Sequence, residues 1–260
     1  MTSFTNPPIP PDEASKYLHV AGRPETRVST RSEPFEVNRP RRFLTRYAIA
    51  LVLSALVPIE FAAARESAEL AGQTLVLALR AGGYNLYFRH AATDWSADDH
   101  VAAAGDWKSC DPQKMRQLSA VGRETARMVG EAMRALGIPV GRVLASPYCR
   151  TVETARTLNL GPVETTTDVM NLRVAEFFGG ESAIVARARR RLAISPEPGT
   201  NNVFVAHGNV IKTATGEYPA EAEVILFYPD GSGGFSVRGR VLPQEWRRLA
   251  AASARLRGAD

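Results

Sequence analysis

Two histidines, each closing a short run of β-branched and aromatic residues, have surroundings suited to covalent chemistry. His90 ends Tyr84-Asn85-Leu86-Tyr87-Phe88-Arg89-His90, and His207 ends Val203-Phe204-Val205-Ala206-His207. A neutral imidazole is a competent nucleophile, and an arginine directly before it offers a planar fork of donors that matches an oxyanion. A third segment, Leu144-Ala145-Ser146-Pro147-Tyr148-Cys149-Arg150, puts Arg150 in the first turn of a helix after another strand. A phosphate monoester carries nearly two negative charges. Arg89 and Arg150, with His207 as a third charged donor if protonated, would hold it while His90 attacks phosphorus in line. With a phosphoryl group as the anion, water would later hydrolyse the phosphohistidine, and one hard displacement would become two easier ones. Arginine and imidazolium then supply the charge stabilisation that Mg²⁺ gives in other phosphoryl transfers, and neither a metal nor a cofactor is expected.

These residues need a scaffold that brings strand ends together. From Glu66 onward, short apolar runs alternate with amphipathic stretches, the signature of an α/β layer fold. A helix is expected over 66–80, ending at Gly82-Gly83, followed by a strand over 84–88 and a loop running through Pro112. Ser119 caps the next helix, whose core stripe is read as Val121, Ala126, Val129, Met133 and Leu136. A strand over 142–145 and a helix after Pro147 follow. Further strands are expected at 163–167, 203–206, 224–228 and 235–241, and further helices at 181–193 and 243–256. Asp230-Gly231-Ser232-Gly233-Gly234 reads as a hairpin turn rather than a phosphate cradle, because no helix follows it. There is no internal repeat. If the strands are parallel, the ends carrying His90, Arg150 and His207 meet in one crevice, where α/β sheets gather ligands.

The chain has 260 residues, 45% of them hydrophobic, and a net charge of +5. That is enough for a sizeable core and excludes collagen-like, disulfide-scaffold and wholly disordered classes. The charge is too small and too dispersed to imply nucleic acid. Residues 1–40 are rich in Pro, Ser, Thr and Glu and are expected to be a disordered tail. In 41–64, Arg41, Arg42 and Arg46 precede an apolar run over 47–59 and then Phe61-Ala62-Ala63-Ala64. That order suits a secretory signal peptide or a membrane anchor ahead of a domain over 65–260. The expected location is therefore the periplasm, either as a soluble protein after cleavage or held to the inner membrane through the N-terminal segment.

Over residues 80–250 the chain resembles the histidine phosphatase superfamily, the phosphoglycerate mutase-like group. The family's Arg-His-Gly tripeptide stands here as Arg89-His90-Ala91, its second arginine as Arg150 within SPYCRTVETA, and its second histidine as His207 within VAHGN. The runs GGYNLYFRHAATDW, EVILFYPDG and PQEWRRL are similar to an exported bacterial branch that includes lipopolysaccharide core heptose phosphate phosphatases. The resemblance implies a three-layer sandwich with a mostly parallel central sheet flanked by helices. It also implies His90 as nucleophile, His207 as its catalytic partner, and Arg89, Arg150 and His207 as phosphate ligands. The general acid departs from the family pattern, because Leu172-Arg173 is followed by Val174 where mutase-like members carry Glu. Glu176 is the nearest substitute there, and Glu223, entering the strand after His207, matches the acid of the exported branch and is preferred. The expected activity is an exported phosphomonoester hydrolase acting on a small-molecule ester, with a sugar phosphate of the envelope as the candidate. The rivals are a phosphohistidine protein phosphatase and a noncatalytic phosphate-binding module.

Other residues have plainer readings. Thr93 either touches phosphate or caps a turn, His100 is a solvated loop residue, and Arg187, Arg189, Arg190 and Arg191 form a charged helix face. Cys110 and Cys149 are the chain's two cysteines. They are buried thiols in a reducing compartment; after export they are expected to pair, clamping the loop after His90 beside Arg150.

Overall fold

Each central strand sends alternate side chains to opposite faces, and the apolar residues on both faces decide where the helices pack. The structure, a computed structural model, describes residues 69–257. The tail expected over 1–40 and the signal or anchor expected over 41–64 lie outside the described residues. The elements are α1 (Gly72–Ala81), β1 (Asn85–Arg89), α2 (Ala120–Ala135), β2 (Val140–Ala145), α3 (Cys149–Leu158), β3 (Val163–Thr165), α4 (Glu181–Leu192), β4 (Asn201–Ala206), α5 (Gly208–Thr215), β5 (Val224–Pro229), β6 (Phe235–Val241) and α6 (Pro243–Arg257). Short 3₁₀ segments at Asp106–Lys108, Thr167–Val169 and Leu172–Phe178 punctuate the loops.

The strands form one six-stranded sheet in the order β3-β2-β4-β1-β5-β6. The first four are mutually parallel; β5 runs against β1, and β6 pairs antiparallel with β5, so β5 alone opposes the rest. One face of the sheet offers Leu86, Phe88, Val143, Val203, Val205 and Leu226 to α1, α2, α3 and α6, where Trp246 is fully buried. The other offers Tyr87, Leu144, Phe204, Ile225 and Phe227 to α4, α5 and the 3₁₀ segment at Leu172–Phe178. This is the α/β three-layer sandwich with a mostly parallel central sheet.

Three expectations need correction. The first helix begins at Gly72, because the chain just before it runs along β6, where the Leu70 N–H donates to the Arg238 carbonyl at 2.7 Å. Val121 is 70% exposed rather than core. Ala126, Val129, Met133 and Leu136 face inward as expected, while Gly122 takes the place expected of Val121, and a Cβ at Gly122 would stand 2.0 Å from the Ala92 carbonyl oxygen. Helix α5, directly after His207, was not expected from the sequence. The hairpin at 230–234 is present: Asp230 Oδ1 accepts from the Ser232 and Gly234 N–H groups, and no helix follows until α6.

Candidate active site

The register of three adjacent parallel strands fixes the site. Arg89 pairs with Ala206, and Ala145 pairs with Val205, so His90, Ser146 and His207 are the first residues past neighbouring strand ends. Backbone bonds carry the pairing one step further: the His90 N–H donates to Ala206 at 3.0 Å and the Ser146 N–H to Val205 at 3.0 Å. The two imidazole rings meet edge to face, with centroids 5.7 Å apart.

His90 is presented as a nucleophile. Its Nδ1 lies 2.9 Å from the Ala91 carbonyl oxygen, an acceptor only, so Nδ1 carries the proton and Nε2 keeps its lone pair. Burial, reinforced by the neighbouring Arg150 charge, lowers its pKa to about 3. Nε2 is therefore unprotonated at neutral pH without help from a base.

His207 is fixed by a chain of amides. Asn171 Oδ1 accepts from the Asn209 amide at 2.7 Å and from the Arg173 N–H at 3.0 Å, which turns the Asn171 NH₂ toward His207 Nδ1 at 3.3 Å. Nδ1 then accepts, and Nε2–H donates to Ser146 Oγ at 3.0 Å. Tyr87 locks the backbone, donating its hydroxyl proton to the His207 carbonyl at 2.8 Å and accepting from the His207 N–H. Burial, followed by the Arg150 charge, depresses the His207 pKa well below its ordinary value. The expectation of an imidazolium donor is corrected here: His207 is a neutral N–H donor, because an amide NH₂ occupies the side that a second ring proton would need.

The arginines are more numerous than the motifs indicated. Arg150 is buried, and both its terminal nitrogens donate to Asp99 at 2.9 Å, with the two side chains 1% and 6% exposed. That end-on pairing leaves the side-on edge, where Nε is buried and has no partner, for an oxyanion. Arg116 sits beside this pair: its N–H donates to Asp99 at 3.0 Å, its guanidinium lies 3.9 Å from the Trp95 ring centroid, and its Nε is also buried without a partner. Its charge lowers the pKa of both histidines. Arg89 donates to the Pro219 carbonyl at 3.3 Å and packs over Tyr218. Thr93 Oγ1 is buried and unpartnered, two residues past Ala91 and bridged to Leu118. Donors left unmade in a buried cluster are costly unless an anion takes them.

Asp99 and Arg116 belong to the loop after β1, and Cys110 and Cys149 form a disulfide that ties this loop to the residue before Arg150. The sequence reading placed His100 in solvent and gave Asp99 no role. His100 is exposed, but Asp99 is the anchor of Arg150. The available signal was an acidic residue in a loop that the cysteine pair brings to Arg150.

Neither expected acid is poised as one. Burial raises the Glu223 carboxyl, but the Arg240 hydrogen bonds and the Ala220 N–H outweigh it, and the pKa falls below the usual range. Arg240 Nε donates to Oε1 at 2.9 Å and Nη2 to Oε2 at 3.0 Å, so Glu223 is an ionised clamp for β6 with no proton to give. Glu176 lies exposed on its 3₁₀ segment. Of the arginine-rich face on α4, Arg187 and Arg191 pair with Asp168, Arg187 also donates to the Phe178 carbonyl, and Arg189 donates to the Ala214 carbonyl. Those contacts are structural.

Residues 86–192 match the sequence profile of the histidine phosphatase superfamily, branch 1. The segment that carries Arg89-His90 and Arg150 is thus similar to that superfamily. The match contains Arg89-His90 and Arg150, and His207 lies beyond it. No curated protein sequence matches the chain. Among solved structures, the chain is similar to the protein histidine phosphatase SixA solved with tungstate, at 15% identity and a TM-score of 0.41, over 62% of this chain and 97% of that one. It is similar also to a mycobacterial glucosyl-3-phosphoglycerate phosphatase, at 15% identity and a TM-score of 0.41, over 60% of this chain and 96% of that one.

Proposed function

We propose that this chain is a histidine phosphatase that hydrolyses small phosphomonoesters through a phosphohistidine on His90. The observation that carries the proposal is a buried, unprotonated Nε2 on His90 beside the guanidinium groups of Arg89, Arg116 and Arg150. Arg150 and Arg116 offer unpartnered Nε donors to the phosphoryl oxygens, and His207 Nε2–H adds a neutral one after leaving Ser146. These charges concentrate where negative charge develops in the transition state, and the scheme has no step that calls for a metal.

The substrate proposed is a sugar phosphate of the cell envelope. In support, Trp95, 63% exposed and stacked on Arg116, and exposed Tyr218, packed against Arg89, border the arginines with aromatic faces that suit a ring-bearing leaving group. Export through the segment over 41–64, with release into the periplasm or retention at the membrane, is favoured by the disulfide, since such bonds persist in oxidising compartments. Among the described residues no helix is long and apolar enough to cross a membrane.

The test is a substrate panel of sugar phosphates, lipid-linked phosphates, p-nitrophenyl phosphate and a phosphohistidine peptide, run with the full chain and with His90→Ala. Hydrolysis of phosphomonoesters that falls below about one per cent in His90→Ala is expected, as for removal of a covalent nucleophile. Turnover of the phosphohistidine peptide alone would favour the protein phosphatase. Phosphate binding with no turnover of any ester would favour the binding module.

A further inference from the structure

Glu221 and Glu223 flank Ala222, and the backbone there sends them to different tasks. Ala222 has φ of 58°, a left-handed conformation that a residue with a Cβ seldom adopts. Its N–H donates to the carbonyls of both Arg89 and His90 at 3.2 Å, so the turn is tied to the end of the nucleophile's strand. On one side Glu223 is consumed by Arg240. On the other, Glu221 Oε1 lies 3.8 Å from Arg89 Nη2, is buried, and accepts no hydrogen bond. Its charge also reaches Arg116. The Glu221 side chain as a whole is 25% exposed, so it reaches solvent beside Arg89. A carboxylate beside an anion site weakens anion binding by like-charge repulsion, so its place there suits a group that exchanges a proton with the bound ester.

We propose that Glu221 is the general acid and base of the hydrolysis, a role that rests on the phosphohistidine reading above. In the first half-reaction the His90 Nε2 lone pair forms a bond to phosphorus as the ester P–O bond breaks. The Glu221 carboxyl proton passes to the departing oxygen, giving the alcohol. In the second, the Glu221 carboxylate takes a proton from water as the water oxygen bonds phosphorus and the N–P bond breaks. Phosphate leaves and Glu221 regains its proton, so ester and water become alcohol and phosphate with the enzyme unchanged.

The leaving group separates this role from a structural one. Nitrophenolate departs without a proton, whereas an alkoxide needs one. Rapid-quench measurement of phosphoenzyme formation on the full chain would compare p-nitrophenyl phosphate with glycerol 2-phosphate in wild type, Glu221→Gln, Glu221→Asp and Glu223→Gln. Glu221→Gln is expected to slow formation from glycerol 2-phosphate by about 10² to 10⁴-fold, the usual worth of a positioned acid, and to leave the nitrophenolate burst nearly unchanged. Its phosphoenzyme should then persist, since no base activates water. Glu221→Asp, which keeps the carboxyl, should recover part of the alkyl ester rate, and Glu223→Gln should leave the ratio of the two rates at the wild-type value. Equal slowing of both substrates in Glu221→Gln would make Glu221 a mere support for Arg89 and overturn the proposal, as would no slowing of either. A wild-type enzyme that turns over both esters without any phosphoenzyme would instead overturn the phosphohistidine reading, and the role of Glu221 with it.

Discussion

Breaking the Cys110–Cys149 bond should loosen the site as well as the fold. The bond closes a loop with a sequence separation of 39 residues, for which chain-entropy estimates give roughly 4 kcal/mol of stabilisation. For a domain of this size, each kcal/mol moves the melting temperature by about 2–4 °C, so reduction should lower it by about 8–16 °C. The same loop carries Asp99 and Arg116, and Cys149 directly precedes Arg150, so reduction also releases the groups that orient Arg150. The assay is near-UV circular dichroism melting of the protein with and without a phosphine reductant, alongside Cys110→Ala/Cys149→Ala, with Michaelis parameters for p-nitrophenyl phosphate taken below the melting transition. Both the reduced protein and the double variant should melt lower and show a raised KM. A melting temperature and KM that do not move on complete reduction would refute the clamp.

Asp99→Asn should raise KM for phosphomonoesters at least about tenfold and destabilise the fold by about 3–5 kcal/mol, because it leaves buried Arg150 without its carboxylate; denaturant unfolding and steady-state kinetics check both. The pH dependence follows from His90: its pKa is about 3 in the folded chain and ordinary, near 6.5, when unfolded. Below pH 6.5 the unfolded chain gains the proton first, so stability present above that pH is lost as pH falls toward 3, at up to about 1.4 kcal/mol per pH unit. Urea midpoints between pH 5 and 8 in wild type and His90→Gln should show a shallower slope in the variant. Gly130→Ala should cost about 1–3 kcal/mol, since its Cβ would stand 1.9 Å from the Leu158 carbonyl oxygen where α2 meets α3; a thermal melt within 1 °C of wild type, on the scaling that ties stability to melting temperature, would contradict it.

The strand-end residues were legible because parallel pairing converts three separated motifs into one crevice: Arg89 closes β1, His90 and His207 directly follow β1 and β4, and Arg150 lies in the first turn of the helix after β2. The cysteine pair was legible for a different reason, as an even pair in a chain expected to be exported. Asp99 and Arg116 were not, because a long loop has no period from which to infer which side chains turn inward; the disulfide and the Thr93–Leu118 bridge decide that in three dimensions. Helix α5 opens with glycine directly after His207 and has no capping side chain, so neither propensity nor a start signal marks it. The preference for Glu223 over Glu176 did not foresee the Arg240 clamp on Glu223, and strand alternation carries no warning that Ala222 turns left-handed between Glu221 and Glu223.

The central claim is that His90 becomes covalently phosphorylated. The most direct test is mass-spectrometric mapping of the enzyme denatured in alkali, where a phosphoramidate survives, within milliseconds of mixing with p-nitrophenyl phosphate. Phosphate on the peptide containing His90, lost on brief acid treatment and missing in His90→Ala, is the predicted result. Full turnover with no modified His90, or with the phosphate on His207, would contradict it.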